Sequence, residues 1–178
     1  MPISSGNPVL FTFSSDAGST PALTQVAAAE RPGAAAGNHA LQVGYKITRY
    51  GGFSHDLATA QDWSGYDGFS FWVKGTGSGQ SIEFEVKDGG PDAENGELWQ
   101  SFFTDDVAGW KKVQVAFADM KKRTDYQPGG APADGVLNLT SMWGYAVNLA
   151  GSTSNTLEFD DVQVYQNLQV FDDFEGNT

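Results

Sequence analysis

The sequence predicts an all-β sandwich of two antiparallel sheets, and three observations carry that expectation. Apolar and polar residues alternate in many short runs, as half-buried strands require. Glycine supplies 22 of the 178 residues and, with Asn and Asp, separates those runs by turns. Aromatics are plentiful (5 Trp, 6 Tyr and 12 Phe), while no amphipathic helix of useful length can be drawn. The length suits one domain with a full core and is short for two.

Residues 9–13 read as a first short strand. Residues 14–37 are rich in Ser, Ala, Gly and Pro, show little periodicity and read as a long loop. Within it Ala27, Ala28, Ala29 and Glu30 have the make-up of a helical turn that Pro32 and Gly33 end. From residue 39 to 49 the period is two, with Leu41, Val43, Tyr45 and Ile47 on one face. Tyr50, Gly51, Gly52, Phe53, Ser54 and His55 make a glycine-hinged connection into another strand. The turn Asp62-Trp63-Ser64-Gly65-Tyr66-Asp67-Gly68 leads into alternating residues 69–74, and residues 82–87 repeat the pattern with Glu83, Glu85 and Lys87 as a charged face.

Residues 97–103 and 113–117 read as further strands, followed by a charged stretch, 119–123. A Pro/Gly loop at 127–135 precedes strands at 142–149 and 156–165, for eight or nine in all. In the last, Leu157 and Phe159 have one parity and Val162 and Val164 the other. The register must therefore slip at Asp160 and Asp161, as a β-bulge would allow. Residues 1–7 are read as a leader and 8–166 as the module. Residues 167–178 are read as a linker or the start of a following module, because Val170-Phe171-Asp172-Asp173-Phe174-Glu175 loosely echoes residues 10–13.

Charge narrows the partners. Ten Lys and Arg against 22 Asp and Glu give a net charge of −12, which repels a phosphate backbone and argues against nucleic acid. Like-charged surfaces repel, so a monomer is expected. With no Cys, disulfides, thiolate metal sites and a Cys nucleophile are excluded. The longest apolar run falls well short of the roughly 20 residues of a membrane helix, so no membrane partner is expected. No signal peptide precedes Val9, and any export signal is expected outside this sequence.

The most distinctive chemistry is Arg123-Thr124-Asp125-Tyr126-Gln127-Pro128. In extended backbone Arg123 and Asp125 share a face about 7 Å apart, with Tyr126 on the other unless the chain turns, and Pro128 and the glycines after it favour a turn. A bidentate donor, a bidentate acceptor and a flat ring are suited to gripping a neutral polyhydroxylated ring. The same residues also read as a surface ion pair beside a loop tyrosine.

Four stretches together resemble a carbohydrate-binding module of the galactose-binding-like jelly-roll group, closest to family 11. They are residues 62–75, Gly109-Trp110-Lys111-Lys112-Val113, the Arg123 to Pro128 motif, and Leu157-Glu158-Phe159-Asp160-Asp161-Val162. The resemblance covers roughly residues 8–166. It implies a jelly roll whose Arg123, Asp125 and Tyr126 line a concave cleft for β-glucan chains. It further implies a secreted or cell-surface bacterial protein carrying a catalytic domain in the same parent chain. Where such modules have acidic and His positions before the equivalent of Trp99, this chain has Asn95, Glu97 and Leu98.

Other candidates for the cleft are Tyr50, Asn95, Glu97, Trp99 and Tyr145, then Tyr45, Phe53, His55, Trp143 and Asn148. Trp63, Trp72 and Trp110 read as core or sheet-edge packing. The resemblance also implies a structural calcium, for which Asp16, Asn38 and Asp161 are the expected ligands, a surface acidic pair being the competing reading. The usual acidic opening run is here Phe11-Thr12-Phe13-Ser14, which sets that ion in question.

A non-catalytic β-glucan-binding module is thus the leading expectation. One alternative is a jelly-roll glycan hydrolase or lyase using a Tyr/His pair or Glu83 and Glu85, which stand about 7 Å apart on one strand face. Another is a docking domain of the same fold without a sugar site.

Overall fold

The structure, a computed structural model, describes residues 12–167. Among them eleven strands form two antiparallel sheets facing one another: β1 (Thr12–Ser15), β2 (Thr20–Ala27), β3 (His39–Ile47), β4 (Tyr50–Gln61), β5 (Gly68–Thr76), β6 (Ser81–Asp88), β7 (Glu97–Thr104), β8 (Ala108–Ala116), β9 (Lys121–Lys122), β10 (Met142–Ala150) and β11 (Thr153–Tyr165). One sheet has six strands in the order β1-β4-β10-β6-β7-β9, the other five in the order β2-β3-β11-β5-β8. A short 3-10 turn, Phe117–Asp119, joins β8 to β9. The expected leader, the first residues of the expected opening strand and the tail beyond Asn167 lie outside the described residues.

Each central strand gives alternate residues to the space between the sheets. Ile82, Phe84 and Val86 from β6 and Tyr145, Val147 and Leu149 from β10 meet Val43, Phe71, Leu157 and Phe159 of the other sheet, all under 10% exposed. The Phe84 ring stacks between Phe71 and Tyr145, at 5.2 and 5.7 Å between centroids. Trp63 packs edge-on to Phe69 at 5.0 Å, so its expected core role holds. Removal of that much apolar surface from water is the dominant stabilising term of such a sandwich.

Two expectations about the path of the chain need correction or gain detail. Residues 20–27 are not loop but the edge strand β2, paired with β3 from Thr20↔Lys46 to Ala27↔His39. An edge strand buries little, and among the described side chains of β2 only Leu23 packs against the core, so the residues carry no period to read. The predicted register slip in β11 is present: pairing with β5 shifts between Asp160 and Gln163, and Asp161 adopts φ 48°. That conformation suits Asp better than most residues.

Candidate functional site

The outward face of the six-stranded sheet carries hollows. Because core and outer residues alternate, the same registers that bury Phe84 and Val147 send Glu83, Glu85, Lys87, Ala146 and Asn148 outward. Two adjoining hollows lie on this face, of about 250 and 730 Å³. They share Ser14, Gly52, Arg123, Tyr126 and Asn148 and so form one cleft running across the strands. Gly52 keeps its floor low: a Cβ there would stand 2.3 Å from Asn148 Oδ1 and 2.5 Å from the Val147 carbonyl.

Arg123 organises the cleft. Its Nε and Nη2 donate to the two Asp125 oxygens at 2.9 and 3.1 Å, and its Nη1 donates to Glu85 Oε2 at 2.9 Å. Glu83 Oε1 lies 3.6 Å from the same Nη1 and accepts from Asn148 Nδ2 at 3.2 Å. The Tyr126 ring sits 5.8 Å from the guanidinium carbon and is 58% exposed. The motif thus comes together, as the spacing predicts. Its guanidinium also reaches two carboxylates nearly forty positions earlier in the chain.

These contacts set the protonation of the site. Burial pushes the Glu85 carboxyl up to about 7, against the opposing pull of Arg123. The hydrogen bonds from Arg123 hold Asp125 below its usual value, and the same bonds raise the Arg123 guanidinium. Near neutrality the cleft therefore offers fixed donors and acceptors of both signs beside an open ring face.

Sequence reasoning missed the residue that positions this motif. Gln127 imitates a strand partner: its Oε1 accepts from Leu98 N at 2.8 Å, while its Nε2 donates to the carbonyls of Leu98 at 2.9 Å and Arg123 at 2.7 Å. With Arg123 N donating to Leu98 O at 2.9 Å, the loop is pinned along β7 where β9 ends. A glutamine in a Pro/Gly loop gives no sequence signal for that role.

The remaining expected contacts divide. Tyr50 lines the larger hollow and is 53% exposed. Asn95 lies in the 88–97 loop, donating to Asp92 Oδ1 at 2.8 Å and meeting Gly130. Trp99, Glu97 and Tyr145 are turned the other way. Trp99 is 9% exposed and donates its indole N–H to buried Asp88 at 3.0 Å. Glu97 is buried and paired with Lys122. Tyr145 shares the parity of Val147 and Leu149, so its ring belongs to the core, where burial raises its phenol. Tyr45, Phe53 and His55 are also core-side: Tyr45 donates to Gln80 Oε1 at 2.7 Å, and the Phe53 and His55 rings pack on Phe159 and Tyr145. Trp143 sits at the register shift of β10, and Asn148 is in the cleft.

The three expected calcium ligands do not fit one ion. Asp16 is held by Ser19, Thr48 and Arg49 at one end of β3, whereas Asn38 is at the other, roughly 30 Å away along the strand. Beside Asn38 the cation is already a side chain. Arg31, 7% exposed, donates Nε to Asp160 and contacts Asp161 through Nη2 at 2.8 Å, while Asn38 gives Asp160 an N–H at 2.6 Å. Among the described residues no group of three or more His, Asp or Glu is arranged to hold a metal. No helix among them is long and apolar enough to cross a membrane.

Comparison with known proteins agrees with the fold. A family model described as carbohydrate binding domain (family 11) matches residues 4–167. Endoglucanase H of Acetivibrio thermocellus is 29% identical over 105 residues, which span 58% of this chain and 12% of the endoglucanase. Among solved structures, a family 11 carbohydrate-binding module from Clostridium thermocellum, in complex with a β-1,3-1,4-mixed-linked tetrasaccharide, superposes with a TM-score of 0.77 at 23% identity, covering 92% of this chain and 93% of that one. A family 30 module of a Clostridium thermocellum cellulosomal cellulase gives 0.63 at 15% identity over 93% and 96%. At these identities the structural likeness speaks for the fold, a β-sandwich shared with both.

Proposed function

This chain belongs to the family 11 carbohydrate-binding domains, and on that premise we propose that its concave cleft binds a β-glucan chain without cleaving it. Mixed β-1,3/1,4-linkage, as in the oligosaccharide of the similar module, is the first candidate, with β-1,3 and cellulosic chains as the others. The observation that carries the reading is Arg123 held between Asp125 and Glu85 with the Tyr126 ring beside it, on an open trough.

The chemistry follows from those groups. A pyranose presents C–H groups on its faces and hydroxyl pairs at its rim. The faces suit Tyr126 and Tyr50, while the hydroxyls donate to Glu83 and Asp125 and accept from Arg123 and Asn148. Each such bond largely replaces one to water, so dissociation constants of roughly micromolar to millimolar are expected. Hydrolysis needs two carboxyl groups flanking the scissile bond. Here Glu83 and Glu85 both turn toward one guanidinium, which favours holding over cutting.

The partial match to an endoglucanase supports a role tethering an attached glycoside hydrolase to polysaccharide outside a bacterial cell. Affinity electrophoresis tests the binding. Gels containing barley β-glucan, laminarin or hydroxyethylcellulose should retard the protein, the mixed-linkage gel most. Unchanged mobility in all of them defeats the reading, and shortened products after prolonged incubation defeat the absence of cleavage.

A further inference from the structure

We propose that Phe102 is a stacking plate at the end of the cleft, taking one further pyranose unit of a chain that extends over β7; this rests on the glucan reading above. Three observations place it. In β7 the residues Trp99 and Phe103 face the core, so Leu98, Gln100 and Phe102 face the cleft side, and Leu98 indeed lines the smaller hollow. Strand registers then set Phe102 opposite Glu83, Glu83 opposite Asn148, Asn148 opposite Gly52 and Gly52 opposite Ser14. The other four all line the larger hollow, so Phe102 continues their row by one strand. From Ser14 to Phe102 the row crosses four strand spacings, about 19 Å.

Phe102 is also uncovered. β9 pairs with β7 only at Trp99 and Gln100, and so stops short of it. Phe102 is 56% exposed, close to Tyr50 at 53% and Tyr126 at 58%, the other two large exposed rings of this face among the described residues. A phenyl ring left in water beside a carboxylate gains nothing from its polar neighbours, whereas a pyranose satisfies both. Its C–H face covers the ring, and a rim hydroxyl reaches Glu83, one cross-strand spacing of about 5 Å away. The phenyl ring offers no hydrogen bond, so it adds reach along the chain without selecting a hydroxyl pattern.

Calorimetric titration of wild type and Phe102→Ala with mixed-linkage oligosaccharides of increasing length decides the matter. The wild type should gain affinity up to the longest oligomer. Phe102→Ala should match it on the shortest and lose about 3- to 10-fold on the longest, with unchanged melting temperature. Phe102→Tyr, which keeps the flat ring, should restore the gain. Equal affinities of wild type and alanine variant at every length overturn the proposal, as does an equal loss at every length, which assigns Phe102 to shaping the hollow. A wild type that binds no oligomer defeats the glucan reading itself, a result distinct from either.

Discussion

The two outward faces of this sandwich carry similar groups and treat them oppositely. On the five-stranded sheet, Trp72 lies under Arg31 at 5.7 Å and Trp110 under Lys74 at 5.7 Å, while Glu30 takes Lys74 Nζ at 2.8 Å and Trp110 Nε1 at 3.3 Å. The chain's own 28–38 segment supplies Glu30, Arg31 and Asn38, so the aromatic and ionic partners are internal. On the six-stranded sheet, Arg123 is tied as firmly, but Tyr50, Tyr126 and Phe102 are left uncovered around it. One face covers its aromatic surface with its own loop; the other holds an ion cluster and leaves ring faces open, where the proposed glucan would lie. What separates a site from a scaffold here is the uncovered area beside the charges.

The contrast is sharpest at the two arginines. Arg31→Ala should be the most damaging change to stability, because it strands Asp160, whose side chain is 3% exposed, without its cation. A loss of about 3–5 kcal/mol is expected in chemical denaturation, with the folded fraction still retarded by glucan gels. Arg123→Ala should do the reverse, because the buried carboxyl it leaves, Glu85, already keeps its proton up to about 7 and is not stranded as a charge. It removes charged hydrogen bonds from the cleft, and affinity for mixed-linkage glucan measured by titration should fall about 10- to 100-fold while the fold survives. Equal effects of the two variants on stability would erase the distinction between the faces.

Acid titration probes the same cluster. Folded Glu85 keeps its proton up to about 7, whereas the unfolded chain releases it near 4.5. Between those values the folded state holds more protons, so this group's contribution to stability is full below pH 4.5 and is lost as pH rises toward 7. Buried Asp88, raised to about 6 from 3.8, acts in the same direction at lower pH. Melting temperature should therefore decline from pH 5 to 7.5, and Glu85→Gln should flatten the decline by about 1–2 kcal/mol. A slope unaltered by the substitution contradicts the assignment. The mildest change is Gln127→Ala. It frees the loop from β7 without touching a ring or charge, and glucan affinity should drop about 3- to 10-fold with little change in denaturation midpoint.

What could be read from the sequence was what is local. Arg123, Asp125 and Tyr126 fall within four positions, so their grouping needs no knowledge of the fold. The bulge at Asp160 and Asp161 showed as a change of parity within one strand. Long-range facts did not show. Glu83 and Glu85 became partners of Arg123 only through the order β10-β6-β7-β9. Parity itself placed Tyr145 with Val147 and Leu149 in the core, although its aromatic character drew it into the expected site. The adjacent Phe102 and Phe103 cannot both face inward, but only the pairing of β7 with β6 says which faces the cleft. The expected calcium ligand set came apart for a similar reason: Arg31, in a segment without period, lies 129 positions from Asp160 and pairs with it.

The most direct test is an amide chemical-shift map recorded during titration with a mixed-linkage glucan oligosaccharide. Shifts should concentrate on β4, β6, β7 and β10 and on residues 123–127, with the outer face of the five-stranded sheet silent. Shifts gathered around Trp72, Trp110 and the 28–38 segment instead would contradict the account.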